Sequence, residues 1–461
     1  MLADSIEETI LDVLGFTPTE DQRKAISVFS QFITDMNSDV AMIMRGSAGT
    51  GKTTLAAAIV RALQSMGMYI VLLAPTGRAA KVFSLYAGHK ASTIHRHIYR
   101  QKELSVDVSS FKLGYNALQD TLFIVDEASM ISYGGSYGSG SLLDDLMAFV
   151  YGGKHCRLML IGDHAQLPPV GESESPALSK DIIEGYGMTV YEAELDEVLR
   201  QGSRSGILQN ATGIRRGVID SPYKAKFFTD VVRVMGDELI DSLSSSYSDC
   251  GMDETIIITR SNKRANIYNR GVRGVVLGYE EEVCSGDMLM IVKNKYIDTM
   301  EEGELDFIAN GDRAKVLRVR NVHNEHGFRF AEMILQFPDY DEYELTTMVI
   351  LDTLTSEAPA ITNEQSTALY EKVLADYADI PRKADRLKAV KTDRYYGALQ
   401  IKFAYAVTCH KAQGGQWAHV YVDQGYITED MMNEDYFRWL YTAFTRAKEK
   451  LFLVNWPVKE G

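Results

Sequence analysis

The chain has 461 residues, room for two to four domains at roughly 150 residues each. Its hydrophobic content of 46% supports large cores, yet no apolar run approaches the ~20 residues of a membrane-spanning helix. Taken alone, a net charge of −15 argues against a nucleic-acid protein, although a narrow channel can be locally basic on an acidic body.

Residues 1–14 are acidic and amphipathic, without the basic start of a signal peptide, and read as a packing helix of a cytoplasmic protein. The strand-like run 40–44 leads into Gly46-Ser-Ala-Gly-Thr-Gly-Lys52-Thr53, and 54–63 reads as a helix. This is G-x-x-x-x-G-K-[ST] in its strand–loop–helix setting. The glycines let backbone N–H groups close around phosphates at a helix N-terminus, where the dipole favours anions. Gly46, Ala48, Gly49, Thr50, Gly51 and Thr54 line that cradle. Lys52 would reach the β- and γ-phosphates of a nucleoside triphosphate, and the Thr53 hydroxyl would hold Mg²⁺.

Strand-like runs at 69–74, 122–125, 157–161, 254–258, 420–422 and 451–454 alternate with helical stretches. The alternation predicts an α/β fold of parallel sheets covered by helices. Residues 97–120 break it as a short polar insertion, and 133–140 form a Gly/Ser/Tyr connection. The strand at 122–125 ends in Asp126 and Glu127. Triphosphate hydrolysis needs one carboxylate at the metal and one group to orient water, roles that Asp126 and Glu127 fill unless both acids merely cap the next turn. The strand at 157–161 opens into Gly162-Asp163-His-Ala-Gln166-Leu-Pro-Pro. The Gln166 amide can donate and accept, so it suits a sensor of the γ-phosphate or of the attacking water; the alternative is a proline-rich turn. Arg200 and Arg446 are candidates for transition-state charge compensation from a second domain, or ordinary surface charges. Residues 284–399 hold a β-rich half and then a charged helical half at 363–391. Cys156, Cys250, Cys284 and Cys409 are far apart and read as reduced thiols, not zinc or redox ligands.

In their order these motifs resemble those of superfamily-1 helicases, in the branch that includes RecD and the phage helicase Dda. Phe16-Thr-Pro-Thr-Glu-Asp-Gln22 is similar to the Q motif, whose glutamine reads adenine, and the phosphate loop to motif I. Ala74-Pro-Thr76-Gly-Arg78-Ala-Ala80 resembles motif Ia, and Ser92-Thr93-Ile-His95 the short motif after it. Residues 125–129 and 162–170 resemble motifs II and III, and the Arg200 segment motif IV. Tyr405-Ala-Val-Thr408-Cys-His410-Lys411-Ala-Gln413-Gly414 resembles motif V, and 440–448 motif VI. The likeness spans 16–454 and is weakest over 97–120 and 284–399.

The resemblance implies two RecA-like domains with ATP and Mg²⁺ in the cleft between them. Lys52, Asp126, Glu127, Gln166, Arg200 and Arg446 would then be catalytic, Thr53 and Asp126 would hold the metal, and Gln22 and Gly414 would touch the nucleotide. Thr76, Thr93 and Thr408 fall in motifs that meet single-stranded DNA. His95 and His410 would contact phosphate or stack on a base, unless they are structural imidazoles. Arg78, Lys81, Arg96 and Lys411 would supply local positive charge.

The implied division is a first domain over 1–200 with a duplex-splitting pin at 97–120, and a second domain over 201–283 and 400–461. An SH3-like barrel with a helical arm would occupy 284–399. Phe111, then Tyr115, is the candidate for the pin tip, with a packing role equally open. The implied activity is ATP-driven 5′→3′ movement on single-stranded DNA with opening of forked duplex. The alternatives are a motor subunit of a nuclease complex, with protein partners in repair or recombination, and an ATP-gated remodeller of DNA–protein contacts. Nothing in the residues separates DNA from RNA.

Overall fold

The structure is a computed structural model that describes residues 2–101, 111–133, 141–197, 205–217, 225–297 and 307–456. The first domain is built on β1 (Val40–Gly46), β2 (Tyr69–Ala74) and β3 (Ala91–Thr93), then a small hairpin of β4 (Tyr99–Gln101) and β5 (Phe111–Leu113), then β6 (Thr121–Val125), β7 (Arg157–Gly162) and β8 (Thr189–Leu195). Six of these form one parallel sheet in the order β3-β2-β6-β7-β1-β8. Its central strands are apolar on both sides because helices cover both faces. Along β6, Leu122 and Ile124 face the core shared with the helices Glu20–Thr34 and Lys52–Ser65, while Phe123 and Val125 face the helix Leu142–Tyr151.

The second domain starts with β9 (Val231–Val234) and β10 (Thr255–Thr259). The chain then leaves to form β11 (Met288–Ile291), β12 (Lys295–Tyr296), β13 (Phe307–Ile308), β14 (Arg313–Glu325), β15 (Phe328–Phe337), β16 (Tyr343–Ile350) and β17 (Leu399–Phe403). It returns as β18 (Ala406–Thr408), β19 (Trp417–Asp423) and β20 (Ala447–Val454). The second parallel sheet has the order β18-β10-β19-β20-β9, and β11, β14, β15, β16 and β17 close into a barrel.

Two details correct the expected boundaries. Residues 399–403 close the barrel between β11 and β16, so the second domain resumes after Phe403 and not at 400. Phe111 pairs with Gln101 on a strand of the hairpin, so it is not in the turn; residues 102–110 lie outside the described residues. Tyr115 follows the hairpin and is 86% exposed.

The charged stretch after the barrel strands forms two helices, Asn363–Asp376 and Lys383–Thr392. They bury Leu369, Val373 and Val390 against Phe328, Phe330, Met348 and Ile350 of the barrel wall. No helix among the described residues is long and apolar enough to cross a membrane.

Candidate nucleotide site and interdomain seam

The phosphate loop follows from local backbone demands. Gly49 and Gly51 have φ of +80° and +82°, the left-handed region that glycine enters without strain. A Cβ on Gly46 would lie 2.9 Å from both Leu195 and the Thr50 hydroxyl. The helix Lys52–Ser65 starts from Gly51 with no side-chain cap, so its first N–H groups face the loop, which suits an anion. Lys52 Nζ folds back to donate to the carbonyls of Gly46 and Ser47 at 2.7 and 2.9 Å. Gln22 is buried behind the loop: its Nε2 donates to Thr50 O at 3.2 Å and its Oε1 accepts from the Thr19 amide at 3.1 Å. One end of this amide braces the loop and the other caps the helix Glu20–Thr34, so reading adenine requires one of these bonds to be exchanged.

Asp126 ends β6 with its Oδ1 accepting the Glu127 amide at 2.9 Å. Glu127 holds φ at +54°, an uncommon conformation for a non-glycine residue. Burial, then the charge of Glu127, pushes the Asp126 carboxyl up to about 7, and Lys52 opposes the shift. A buried carboxylate raised in this way is what a divalent cation relieves. Mg²⁺ is typically held by one or two carboxylates together with substrate phosphates, and Asp126 with the Thr53 hydroxyl fits that oxygen set.

The loop after β7 belongs mechanically to the other domain. Asp163 Oδ2 accepts from the Tyr441 hydroxyl at 2.6 Å, and the Leu167 amide donates to Thr442 Oγ1 at 2.8 Å. Gln413 Nε2 donates to Leu167 O at 2.7 Å, and Arg438 Nη1 to His164 O at 3.0 Å. Tyr441, Thr442 and Arg438 lie on the helix Glu434–Phe444 of the second domain. The same Tyr441 hydroxyl accepts the Ala48 amide of the phosphate loop at 2.9 Å. Gln166 is buried beside these contacts, and its Oε1 has no hydrogen-bond partner among the described residues.

Arg446 is 2% exposed and donates from all three guanidinium nitrogens within its own domain, to Thr442 O, Gly415 O and Thr445 Oγ1. Arg200 lies outside the described residues. Gly414 has φ of +73°, and a Cβ there would lie 2.9 Å from the Thr76 hydroxyl. It therefore packs on the start of the motif Ia helix.

Of the expected strand contacts, Thr76, Arg78, Lys81, His95 and Lys411 lie on a seam between the first domain and the rest. Thr76 and Thr93 are helix N-caps, accepting from the amides of Ala79 and Arg96 at 3.2 and 3.3 Å. Thr408 precedes the short helix Cys409–Ala412 without capping it. Arg78 donates to Gln416 O, approaches Glu254 at 3.5 Å and stacks over Trp417 at 4.6 Å. Lys81 donates to Pro338 O and Lys411 to Asn310 Oδ1, both on the barrel side. His95 stacks on Phe307 of β13 with an interplanar angle of 9°. Burial holds His95 down at about 4 and lowers His410, so both favour the neutral imidazole. Lys411 is pulled down to about 8 by burial and then by Lys402. Across the same seam a Cβ on Gly77 would lie 2.4 Å from Tyr340 Oη and 2.5 Å from Asp312 Oδ1. Tyr340 donates to Asp312 Oδ2 at 2.6 Å.

Sequence reasoning singled out neither Tyr441 nor Asp312. Tyr441 lies inside the motif VI string, five residues before Arg446, but its partners are hundreds of residues away.

Two parallel sheets with a phosphate loop at their junction define a two-domain P-loop nucleotide-binding protein of RecA-like architecture. Residues 18–235 match the AAA domain family model, and 403–454 match the UvrD-like helicase C-terminal domain model. The chain is 25% identical over 476 residues to the ATP-dependent DNA helicase dda of Enterobacteria phage T4, covering 95% of this chain and 99% of that one. It is 23% identical over 426 residues to the ATP-dependent RecD2 DNA helicase of Deinococcus radiodurans, covering 89% of this chain and 46% of the relative. Pif1 helicase from Bacteroides, solved with ADP-AlF3 and ssDNA, aligns over 96% of this chain and 94% of its own at TM-score 0.47 and 14% identity. By these matches the chain is similar to superfamily-1 helicases, in the branch of Dda and RecD.

Proposed function

We propose that this protein is an ATP-dependent DNA helicase that moves 5′→3′ along single-stranded DNA and opens forked duplex. The observation that carries the reading is the hydrogen bond from the Ala48 amide to Tyr441, which puts the phosphate loop of one domain in contact with the motif VI helix of the other. A nucleotide in this cradle lies where the two domains meet, so its binding and turnover change their spacing. Such a coupling is what a translocating motor needs.

In this reading Lys52 leaves the carbonyls of Gly46 and Ser47 for the phosphates. Thr53 and Asp126 hold Mg²⁺, which neutralises charge on the phosphate oxygens when bound. Glu127 orients the attacking water, and Gln166 offers its unpartnered Oε1 to that water. Arg446 exchanges backbone acceptors for the γ-phosphoryl group, and Arg200 is assigned the same role by its motif. The strand runs past Thr76, Thr93, His95 and Thr408, where hydroxyls, amides and neutral rings hold it loosely enough to step. The 5′→3′ direction is inferred from the similarity to the Dda and RecD branch.

The test is unwinding of two forked duplexes, one with a 5′ single-stranded tail and one with a 3′ tail, with and without ATP. ATP-dependent opening of only the 5′-tailed substrate supports the whole reading. Opening of only the 3′-tailed one keeps the motor and removes the polarity. DNA-stimulated ATP hydrolysis without opening of either points to a motor that works with a partner.

A further inference from the structure

Four contacts tie the loop from Asp163 to Leu167 to the second domain, and one of the four groups involved also reaches the phosphate cradle. That group is the Tyr441 hydroxyl, which accepts from the Ala48 amide and donates to Asp163. Tyr441 is 2% exposed and Asp163 is fully buried, so water does not compete for either bond. Asp163 is fixed from its other oxygen as well, where Oδ1 accepts the Ala165 amide at 3.0 Å. Burial, and then the Asp163 charge, hold the phenol far above its ordinary titration range, so it remains a donor to that carboxylate.

The hydroxyl oxygen therefore fills, at Ala48, the acceptor position that a phosphate oxygen takes when the loop is loaded. Lys52 is likewise satisfied by the loop's own carbonyls. Protein groups thus occupy the lysine of the cradle and one of its amides.

We propose that Tyr441 is a positioning residue that reports occupancy of the phosphate cradle to the second domain. A phosphate takes the Ala48 N–H, the hydroxyl lets go of the phosphate loop while keeping Asp163, and the helix Glu434–Phe444 shifts relative to the cradle together with the Asp163–Leu167 loop bonded to it. This rests on the reading of the cradle as a nucleoside triphosphate site. Two consequences follow. The hydroxyl competes with phosphate, so removing it tightens nucleotide binding. The hydroxyl also transmits, so removing it uncouples turnover from the DNA-facing seam.

The experiment uses the full chain, titrated with a fluorescent ADP analogue and assayed for ATP turnover with and without a single-stranded oligonucleotide. Tyr441→Phe deletes one hydroxyl and keeps the ring, and its thermal midpoint checks the fold. Tyr151→Phe is the control, since that half-buried residue's hydroxyl donates to Val40 O at 2.8 Å within the first domain and makes no hydrogen bond to the second domain among the described residues. Tyr441→Phe is expected to bind the analogue about two- to tenfold tighter, the range of one net hydrogen bond, and to lose DNA stimulation of kcat. Tyr151→Phe is expected to match the parent protein in both. Unchanged or weaker binding in Tyr441→Phe, or the same tightening in Tyr151→Phe, overturns the proposal. Failure of the parent protein to bind the analogue overturns the nucleotide reading itself, and the proposal with it.

Discussion

Arg446 Nη1 donates to the carbonyl of Gly415 at 3.2 Å, and the neighbouring Gly414 packs against the Thr76 hydroxyl. One short path thus joins motif VI, motif V and the N-cap of the motif Ia helix. A movement of the Arg446 guanidinium toward a nucleotide breaks the first link of that path.

Arg446→Ala is expected to lower kcat by about 10³-fold or more, the scale of a lost arginine finger. Arg446→Lys keeps the charge but not the planar fork, and is expected to rescue little. Steady-state ATP hydrolysis with saturating single-stranded DNA checks both. A defect confined to DNA affinity would move Arg446 out of the nucleotide site and into the strand seam.

Lys52→Ala is expected to abolish ATP turnover and to leave measurable binding of single-stranded DNA, because among the described residues Lys52 donates to the loop carbonyls and not to the seam. Hydrolysis assays alongside fluorescence anisotropy of a labelled oligonucleotide separate the two. Normal turnover in this variant would refute the phosphate-loop assignment.

Asp312 makes the seam pH-sensitive. Burial raises its carboxyl from 3.8 to about 7, with Tyr340 and the Ala309 and Gly77 amides opposing and Asp339 adding to the rise. The folded state therefore keeps this proton in a window where the unfolded chain has released it. The resulting penalty is absent below about pH 4, grows with pH, and is complete above about pH 7. Three units correspond to ~4 kcal/mol at most. Asp312→Asn is expected to flatten this part of the stability profile and to raise the thermal midpoint at pH 8 more than at pH 5. Thermal unfolding of both proteins at the two pH values decides it, and parallel shifts would remove Asp312 as the cause.

Arg273 and Asp287 form a buried pair at 2.8 Å where the second domain meets the barrel. Asp287 also accepts from the Tyr405 hydroxyl at 2.8 Å and the Cys284 amide at 2.7 Å, and Arg273 lies over Phe403 at 4.4 Å. Asp287→Ala strands the guanidinium, and is expected to destabilise the fold by ~3–5 kcal/mol. Denaturant unfolding measures this. A loss below ~1 kcal/mol, the level of a surface pair, would show that water reaches Arg273.

Legibility in the chain followed the range of the forces involved. The phosphate loop was readable because its demands are local: two left-handed glycines, a close approach at Gly46, and a helix start within eight residues. The central strands were readable because burial on both faces leaves continuous apolar runs. Edge strands were harder. Thr189–Leu195 carries Glu192 and Glu194, so it lacks such a run, yet it completes the sheet beside β1. Leu399–Phe403 looks like any short strand, and only barrel closure assigns it to the insertion. An aromatic ring and its distance from Asp126 recommend Phe111 as the pin tip, but strand pairing with Gln101 decides where its backbone sits.

The sequence by itself determined the class of chemistry, the two sheets and the order of the motifs, since each depends on residues within a few positions of one another. Tertiary structure alone decided which groups meet. Ala48 and Tyr441 are 393 residues apart, and Arg78 reaches Gln416 across 338. No local periodicity encodes such pairs. They form because the packing of two domains and a barrel brings buried polar groups together, and each must find a partner once water is excluded.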